Sequence, residues 1–352
     1  MAAPASPGVA ARSDRAVGAD RHRPPRWHPM TVHVIATGGT IASHFDGVEW
    51  TNIAGAQLVS EAGPHGCDVT VDDVATGPSS NLTVHDMVRI VERIQRALAD
   101  GADGVVITHG TDTMELTAFV AALLLGVDGA RPPVVFTGSM RVHSHAQPDG
   151  PQNIRDAIAT ASDRSAVGRE VMVCLEGVLH AADVVTKVNA NSVDAFTSAP
   201  FGPIGSVVDG HPGFRDPAIE RPKATALADD VPLLTSYPGI GGAEFARLAE
   251  GRRGIVLEAF GDLNVPQQLW GPIHAAGAAG TLVVLASRPF TGTRVEDGLT
   301  MLGAVGAGGL SAQKARLAVM AALGTCADRA AATLFLHQFS LSYDAHDRST
   351  AP

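Results

Sequence analysis

Val105–Leu116, "VVITHGTDTMEL", decides how the rest of the chain reads. Val105, Val106, Ile107 and Thr108 favour an extended strand, His-Gly breaks it, and a helical pattern starts after Thr111, Asp112 and Thr113. A strand that turns straight into a helix is one unit of an α/β fold, and its polar turn lies at the strand's carboxyl end. Asp112 in that turn suits an N-cap, and capping is the commoner duty for aspartate there.

The same grammar runs outward in both directions. "VHVIA" (32–36) is a strand followed by the turn "TGGT". Over 83–99, Val84, Met87, Val88, Val91, Ile94 and Leu98 keep three-four spacing, with Thr83 and Asp86 placed as a capping box. "PVVFTGS" (133–139), a helix at 152–162 and the strand "VMVCLEG" follow. The stretch 200–231 is rich in Pro, Gly and Asp and weakly periodic, so it reads as a linker. Beyond it, "GIVLEAF" (254–260) and "TLVVLAS" (281–287) are strands, and 311–323 is a helix capped by Ser311. The expectation is an α/β chain with a larger N-terminal parallel-sheet domain (30–212), a linker (213–231), a smaller C-terminal α/β domain (232–345) and a tail (346–352). Residues 1–29 have no apolar signal core and read as a disordered arm.

Composition narrows the function. A net charge of −10 with no basic run argues against a nucleic-acid partner. No run is long and apolar enough for a bilayer, so no membrane role is expected. Three cysteines, Cys67, Cys174 and Cys326, lie far apart without metal-ligand spacing, which suits a reducing compartment such as the cytoplasm. Cys174 reads as buried and inert.

The chemistry lies in two turns. In "VIATGGTIAS" (34–43) two glycines permit a tight turn that presents Thr40, and its backbone N–H groups suit an oxyanion. A plain Gly-rich turn explains the motif equally well, but it is neither a dinucleotide fingerprint nor a phosphate loop. A threonine nucleophile needs a base. His109 is better explained as a packed or capping residue. Lys187, in "DVVTKVNANS", is a candidate base if its environment favours the neutral amine, with a surface lysine as the alternative.

These segments together resemble the bacterial-type L-asparaginases, the asparaginase/glutaminase amidohydrolases, from Thr31 to about Gly324. "IATGGTIAS" and "VVITHGTDTMELTA" resemble the two family signatures, and "GSM", "DGPQN", "TKVNA" and "GGLSAQKARL" match further along. The resemblance implies L-asparagine hydrolysis to L-aspartate and ammonia, with Thr40 as nucleophile through an acyl-enzyme. It implies that Thr111, Asp112 and Lys187 form a second constellation, in which Lys187 takes a proton and Thr111 activates water or itself attacks. Asp112 would hold the substrate's α-ammonium, Ser79 its α-carboxylate, with Ser80 and Gly39 beside them. No cofactor or metal is implied, and the assembly would be a homotetramer built as a dimer of dimers.

Departures from the family pattern are specific. The lid after the first signature, "HFDGVEWTNIAG" (44–55), lacks the usual tyrosine; Tyr237 and Tyr343 lie elsewhere. Trp50 only donates through its indole N–H, which leaves Glu49 or His44 as substitutes. Ser80 replaces a longer acceptor. Asp262 and Asn264 stand where the family has an asparagine that reaches a neighbouring site, and Glu296 is offered as the partner-subunit acid. Two other functions share these motifs. One is a tRNA-dependent amidotransferase subunit, disfavoured by the short N-terminal arm and the negative charge. The other is a non-catalytic amino-acid sensor, for which two activated hydroxyls have no use.

Overall fold

The computed structural model describes residues 30–74, 77–215, 221–289 and 298–349. The expected arm (1–29), the candidate Glu296 and the last three residues lie outside the described residues. The first half runs β1 (Thr31–Ala36), β2 (Ser43–Phe45), β3 (Trp50–Asn52), α1 (Gly55–Glu61), β4 (Asp68–Asp73), α2 (Val84–Ala99), β5 (Gly104–Thr108) and α3 (Met114–Leu125). It continues through β6 (Val134–Thr137), α4 (Gly150–Ala161), β7 (Met172–Leu175), β8 (Val178–Ala181), β9 (Thr186–Lys187), β10 (Phe196–Thr197), β11 (Gly205–Val208) and β12 (His211–Phe214). The second half contains β13 (Leu233–Thr235), α5 (Gly242–Ala249), β14 (Gly254–Ala259), α6 (Trp270–Ala278), β15 (Leu282–Ser287), α7 (Gly298–Leu302), β16 (Ala304–Gly306), α8 (Ala312–Thr325) and α9 (Arg329–Ser349).

The larger sheet has the order β12-β11-β8-β7-β6-β5-β1-β4. From β4 to β7 all pairings are parallel, and β5, β6 and β7 are buried on both faces, while β1 is partly and the edge strand β4 more widely exposed. That is why "GVVIT" and "VVFT" read as continuous apolar runs rather than alternating ones. The parallel arrangement expected from the sequence stops at β7. β8, β11 and β12 are antiparallel, because Glu176-Gly177 and Asp209-Gly210 turn the chain back at once with positive φ. The hairpin β11–β12 lies inside the stretch read as linker, so the sheet runs on to Phe214. Likewise α9 extends into the stretch read as tail. The smaller sheet, β13-β14-β15-β16, is wholly parallel.

One core joins the two sheets. α3, "MELTAFVAALLL", is buried almost all round, since α8 and α9 of the second half pack on the side that α2 and the large sheet leave open. Phe119 of α3 meets Phe339 of α9 at a ring-centroid distance of 5.8 Å. No helix among the described residues is long and apolar enough to cross a membrane.

The strand order places the site. From β1 the chain passes to β4 on one side and then crosses to β5, β6 and β7 on the other. A crevice therefore opens beyond the carboxyl ends of β1 and β5, the usual ligand position of a doubly wound sheet. α2 packs against α3, β5 and β1 and starts as the sequence predicts: Thr83 Oγ1 accepts from Asp86 N–H, and the Asp86 carboxylate accepts from Thr83 N–H. Thr83→Ala should lower stability by about 1 kcal/mol, read as a shift in the urea midpoint; an unmoved midpoint would show the cap to be idle.

Candidate active site

The two threonine turns meet at a glycine pair. β1 and β5 are neighbours in register, and at their ends Thr37 N–H and Thr37 Oγ1 both donate to Thr108 O, at 3.0 and 2.9 Å. Gly38 and Gly39 follow with φ of 81° and 88°, a region L side chains rarely adopt. A Cβ on Gly39 would lie 2.4 Å from Gly110 Cα and 2.6 Å from Gly110 N, so the first turn rests directly on the backbone of the second. Thr40 then opens a 3-10 turn (Thr40–Ala42) and is half-buried. Ser43 Oγ donates back to Gly39 O at 3.0 Å and closes the loop.

The second constellation is assembled by contact. Lys187 Nζ donates to Thr111 Oγ1 at 2.9 Å and to Asp112 Oδ1 at 2.8 Å. The lysine side chain is 17% exposed and the aspartate 63%, so the ammonium is held between a buried hydroxyl and a carboxylate open to the crevice. Asp112 does not cap α3; the cap position falls on Thr113, whose side chain makes no capping bond. Thr113 Oγ1 instead donates to Ser79 O at 2.8 Å and fixes the turn Ser79–Asn81 against the site. Ser79 is buried, and a Cβ on Gly110 would lie 2.7 Å from its Cβ and Oγ; Ser80, next to it, is exposed. The structure thus brings Gly39, Ser79, Gly110, Thr111, Asp112 and Lys187 into one cluster, with Thr40 next along the chain.

His109 is wholly buried against Phe136, bonds through Nδ1 to Gly110 O, and is pushed down to about 4 by burial. It is a neutral packed residue, as its place in the sequence suggested. Cys174 is buried, and burial pushes its thiol upward.

Two charged residues that sequence reasoning did not single out lie beneath the site. Glu115 Oε2 accepts Lys187 N–H at 2.5 Å, and burial pushes its carboxyl up while the Lys314 and Lys187 charges pull it down. Lys314, from the second half, is 1% exposed and donates to the carbonyls of Asp183 and Val185, just before Lys187. The available signal was a glutamate inside the otherwise apolar "MELTAFVAALLL", four residues beyond Thr111.

The lid is a hairpin, β2 with β3, whose turn is bound by Asp46 Oδ1 accepting from Val48 and Glu49 N–H at 2.8 and 2.9 Å. Phe45 and Trp50 stack on it at 5.1 Å, with Trp50 exposed. At its base, His143 N–H donates to Ser43 O at 2.8 Å, His44 Nδ1 lies 3.1 Å from His143 Nδ1, and His143 Nε2 lies 2.5 Å from Glu61 Oε2. His44 is therefore bonded to the loop after β6. In the second half, Asn264 follows a turn with positive φ at Asp262 and Leu263, and its amide donates to Gly261 O at 2.8 Å.

Gly39→Ala should cost about 1–3 kcal/mol by overpacking and reduce turnover roughly 100-fold by lifting Thr40 away from Thr111; a melting scan and a rate measurement check both. His143→Ala should speed protease cleavage of the 46–49 turn several-fold. The bond to His143 is the largest influence holding the Glu61 carboxyl below its usual range. Its contribution is complete above the ordinary carboxylate pKa and disappears as acid protonates Glu61. Wild type should therefore approach the variant's cleavage rate on acidification, and a pH-independent gap would rule out this tie.

Comparison with known proteins agrees with this geometry. Residues 31–220 match the family model "Asparaginase, N-terminal", and residues 230–334 match "Glutaminase/Asparaginase C-terminal domain". The chain is 34% identical over 310 residues to a probable L-asparaginase of Deinococcus radiodurans, covering 84% of this chain and 94% of that one. It is 31% identical over 313 residues to L-asparaginase 2 of Escherichia coli, covering 83% and 88%. The crystal structure of a probable cytoplasmic L-asparaginase from Campylobacter jejuni superposes with a TM-score of 0.78 at 31% identity, covering 87% of this chain and 99% of that one. With both halves matched and the two threonine turns in contact, the chain belongs to the asparaginase/glutaminase family of amidohydrolases.

Proposed function

We propose that this chain hydrolyses L-asparagine to L-aspartate and ammonia, with weaker action on L-glutamine. The observation that supports it is the triangle of Lys187 Nζ, Thr111 Oγ1 and Asp112 Oδ1 at 2.9 and 2.8 Å, set against the turn that carries Thr40. In this scheme Thr40 Oγ attacks the side-chain amide carbon. The Thr40 hydroxyl proton passes to the amide nitrogen, the C–N bond breaks, and ammonia leaves a β-aspartyl ester on Thr40. Thr111 then orients water onto the ester carbon, Lys187 relays the water's proton to the Thr40 oxygen as the ester bond breaks and L-aspartate is released, and backbone N–H groups of the glycine turn serve the developing oxyanion. Ser79 takes the substrate's α-carboxylate and Asp112 its α-ammonium. The exposed Ser80 contributes little hold on that head, since a short hydroxyl replaces a longer acceptor.

The same scheme carries a cytoplasmic homotetramer, a dimer of dimers in which Asn264 reaches toward a neighbouring site, with no cofactor and no nucleic-acid partner. The two domains proposed run from 30 through β12 to Phe214 and from 232 through α9 to Ser349. A sensor without turnover is less well supported, because binding an amino acid does not require a lysine bonded to a buried threonine hydroxyl.

Thr40→Ala should abolish ammonia release from asparagine while leaving the melting temperature near wild type; retained turnover would move the nucleophile to Thr111. Lys187→Met should also be silent, and ordinary pH-dependent activity there would end the shuttle role. Asparagine should exceed glutamine in kcat/KM by an amount worth about 1–3 kcal/mol, the usual value of one methylene, measured side by side.

A further inference from the structure

Lys314 is a charged residue in a place suited to methionine. It stands on α8 among buried Ala, Leu, Val and Met, it is 1% exposed, and the Phe119 ring lies 5.9 Å from its Nζ. Removing an ammonium from water is costly, so a buried lysine persists only where its donors and its charge are both answered. Here the donors go to Asp183 O at 3.2 Å and to Val185 O, carbonyls of the irregular turn between β8 and β9. The charge is answered by Glu115, whose Oε2 accepts the backbone N–H of Lys187 at 2.5 Å. Asp183 also faces it and is itself paired with Arg221, while His180 nearby is bonded to Ser198 Oγ and kept neutral by burial.

The short strand bearing Lys187 is thus gripped from two directions. The turn before α3 holds its side chain through Thr111 and Asp112, and α3 itself holds its backbone through Glu115, four residues beyond Thr111. α8, from the other half of the molecule, holds the two carbonyls that precede it. We infer that Lys314 and Glu115, holding the backbone on either side of it, position Lys187 for proton transfer, so that the C-terminal half takes part in the chemistry of its own chain's N-terminal site. This rests on the shuttle role proposed for Lys187. Neither residue touches substrate; both act through Lys187.

The test uses Lys314→Met, which preserves length and packing, and Glu115→Gln, which preserves an oxygen for the Lys187 N–H. In each purified variant, ammonia release gives kcat and KM for asparagine and the pH profile of kcat. A fall in kcat of roughly 10- to 100-fold, with KM within about 3-fold, is expected, as for other supports of a reacting group. The profile should move to higher pH when the neighbouring cation is removed and to lower pH when the anion is removed. Damage to packing alone lowers the melting temperature without moving the profile. A folded variant with wild-type kcat, or with a superimposable profile, overturns the inference. If Lys314→Met does not fold, Glu115→Gln is decided by the same criteria. Lys187→Met separates the two levels: ordinary turnover in it removes the shuttle role itself. A silent Lys187→Met beside unaffected Lys314 and Glu115 variants removes only the pair.

Discussion

The site depends on two backbones touching where no side chain intervenes. Gly39 lies on Gly110 so closely that a single added carbon would sit 2.4 Å from Gly110 Cα. The sheet makes β1 and β5 neighbours and opens a crevice at their ends, but any doubly wound sheet does that. Glycine at both positions lets the turn carrying Thr40 settle onto the turn carrying Thr111. Ser79 is drawn into the same contact on the far side of Gly110. Three loops distant in sequence therefore share one van der Waals surface.

A second constraint follows from the burial of α3. A helix covered on nearly every side cannot send its polar groups to solvent, so Glu115 must find partners within the protein. The partners come from opposite halves: the N–H of Lys187 and the charge of Lys314. The apolar core behaves likewise, with Phe119, Phe335 and Phe339 in one cluster. The two sheets form separate layers in sequence and a continuous interior in space.

Much of this was legible in the sequence, for local reasons. The three-four spacing of 84–98 and the Thr83–Asp86 pair predict α2 and its cap, and both rest on contacts within one helical turn. The two Gly- and Thr-bearing turns were visible because each interrupts a strand of β-branched residues. The β11–β12 hairpin was missed because "VVDGHPGF" looks like linker by composition. The Asp209-Gly210 pair, with both φ positive, is in fact a hairpin turn. Asp112 was ambiguous between cap and site, and only the placement of Lys187 separates the two. Lys314 gave no signal of its own, since a lysine in a helix reads as a solvated face until another domain covers it.

In the proposed scheme, the absence of a tyrosine from the β2–β3 hairpin changes where proton handling resides. In the hairpin, Trp50 is exposed and stacked on Phe45, and His44 is engaged with His143 at the base. Three contacts, Ser43 O with His143, His44 with His143, and Phe45 N–H with Ser144 Oγ, fasten β2 to the loop after β6. The 46–49 turn lies beyond these ties and is bound by its own Asp46 hydrogen bonds. That turn carries Asp46 and Glu49 but no hydroxyl, so it offers no neutral donor for Thr40 to use as it would a phenol. The hydroxyl-to-amine contact between Thr111 and Lys187 is supported by α3 and α8 rather than by the β2–β3 hairpin. In the proposed scheme, proton transfer is thereby tied to the buried interior rather than to the β2–β3 hairpin.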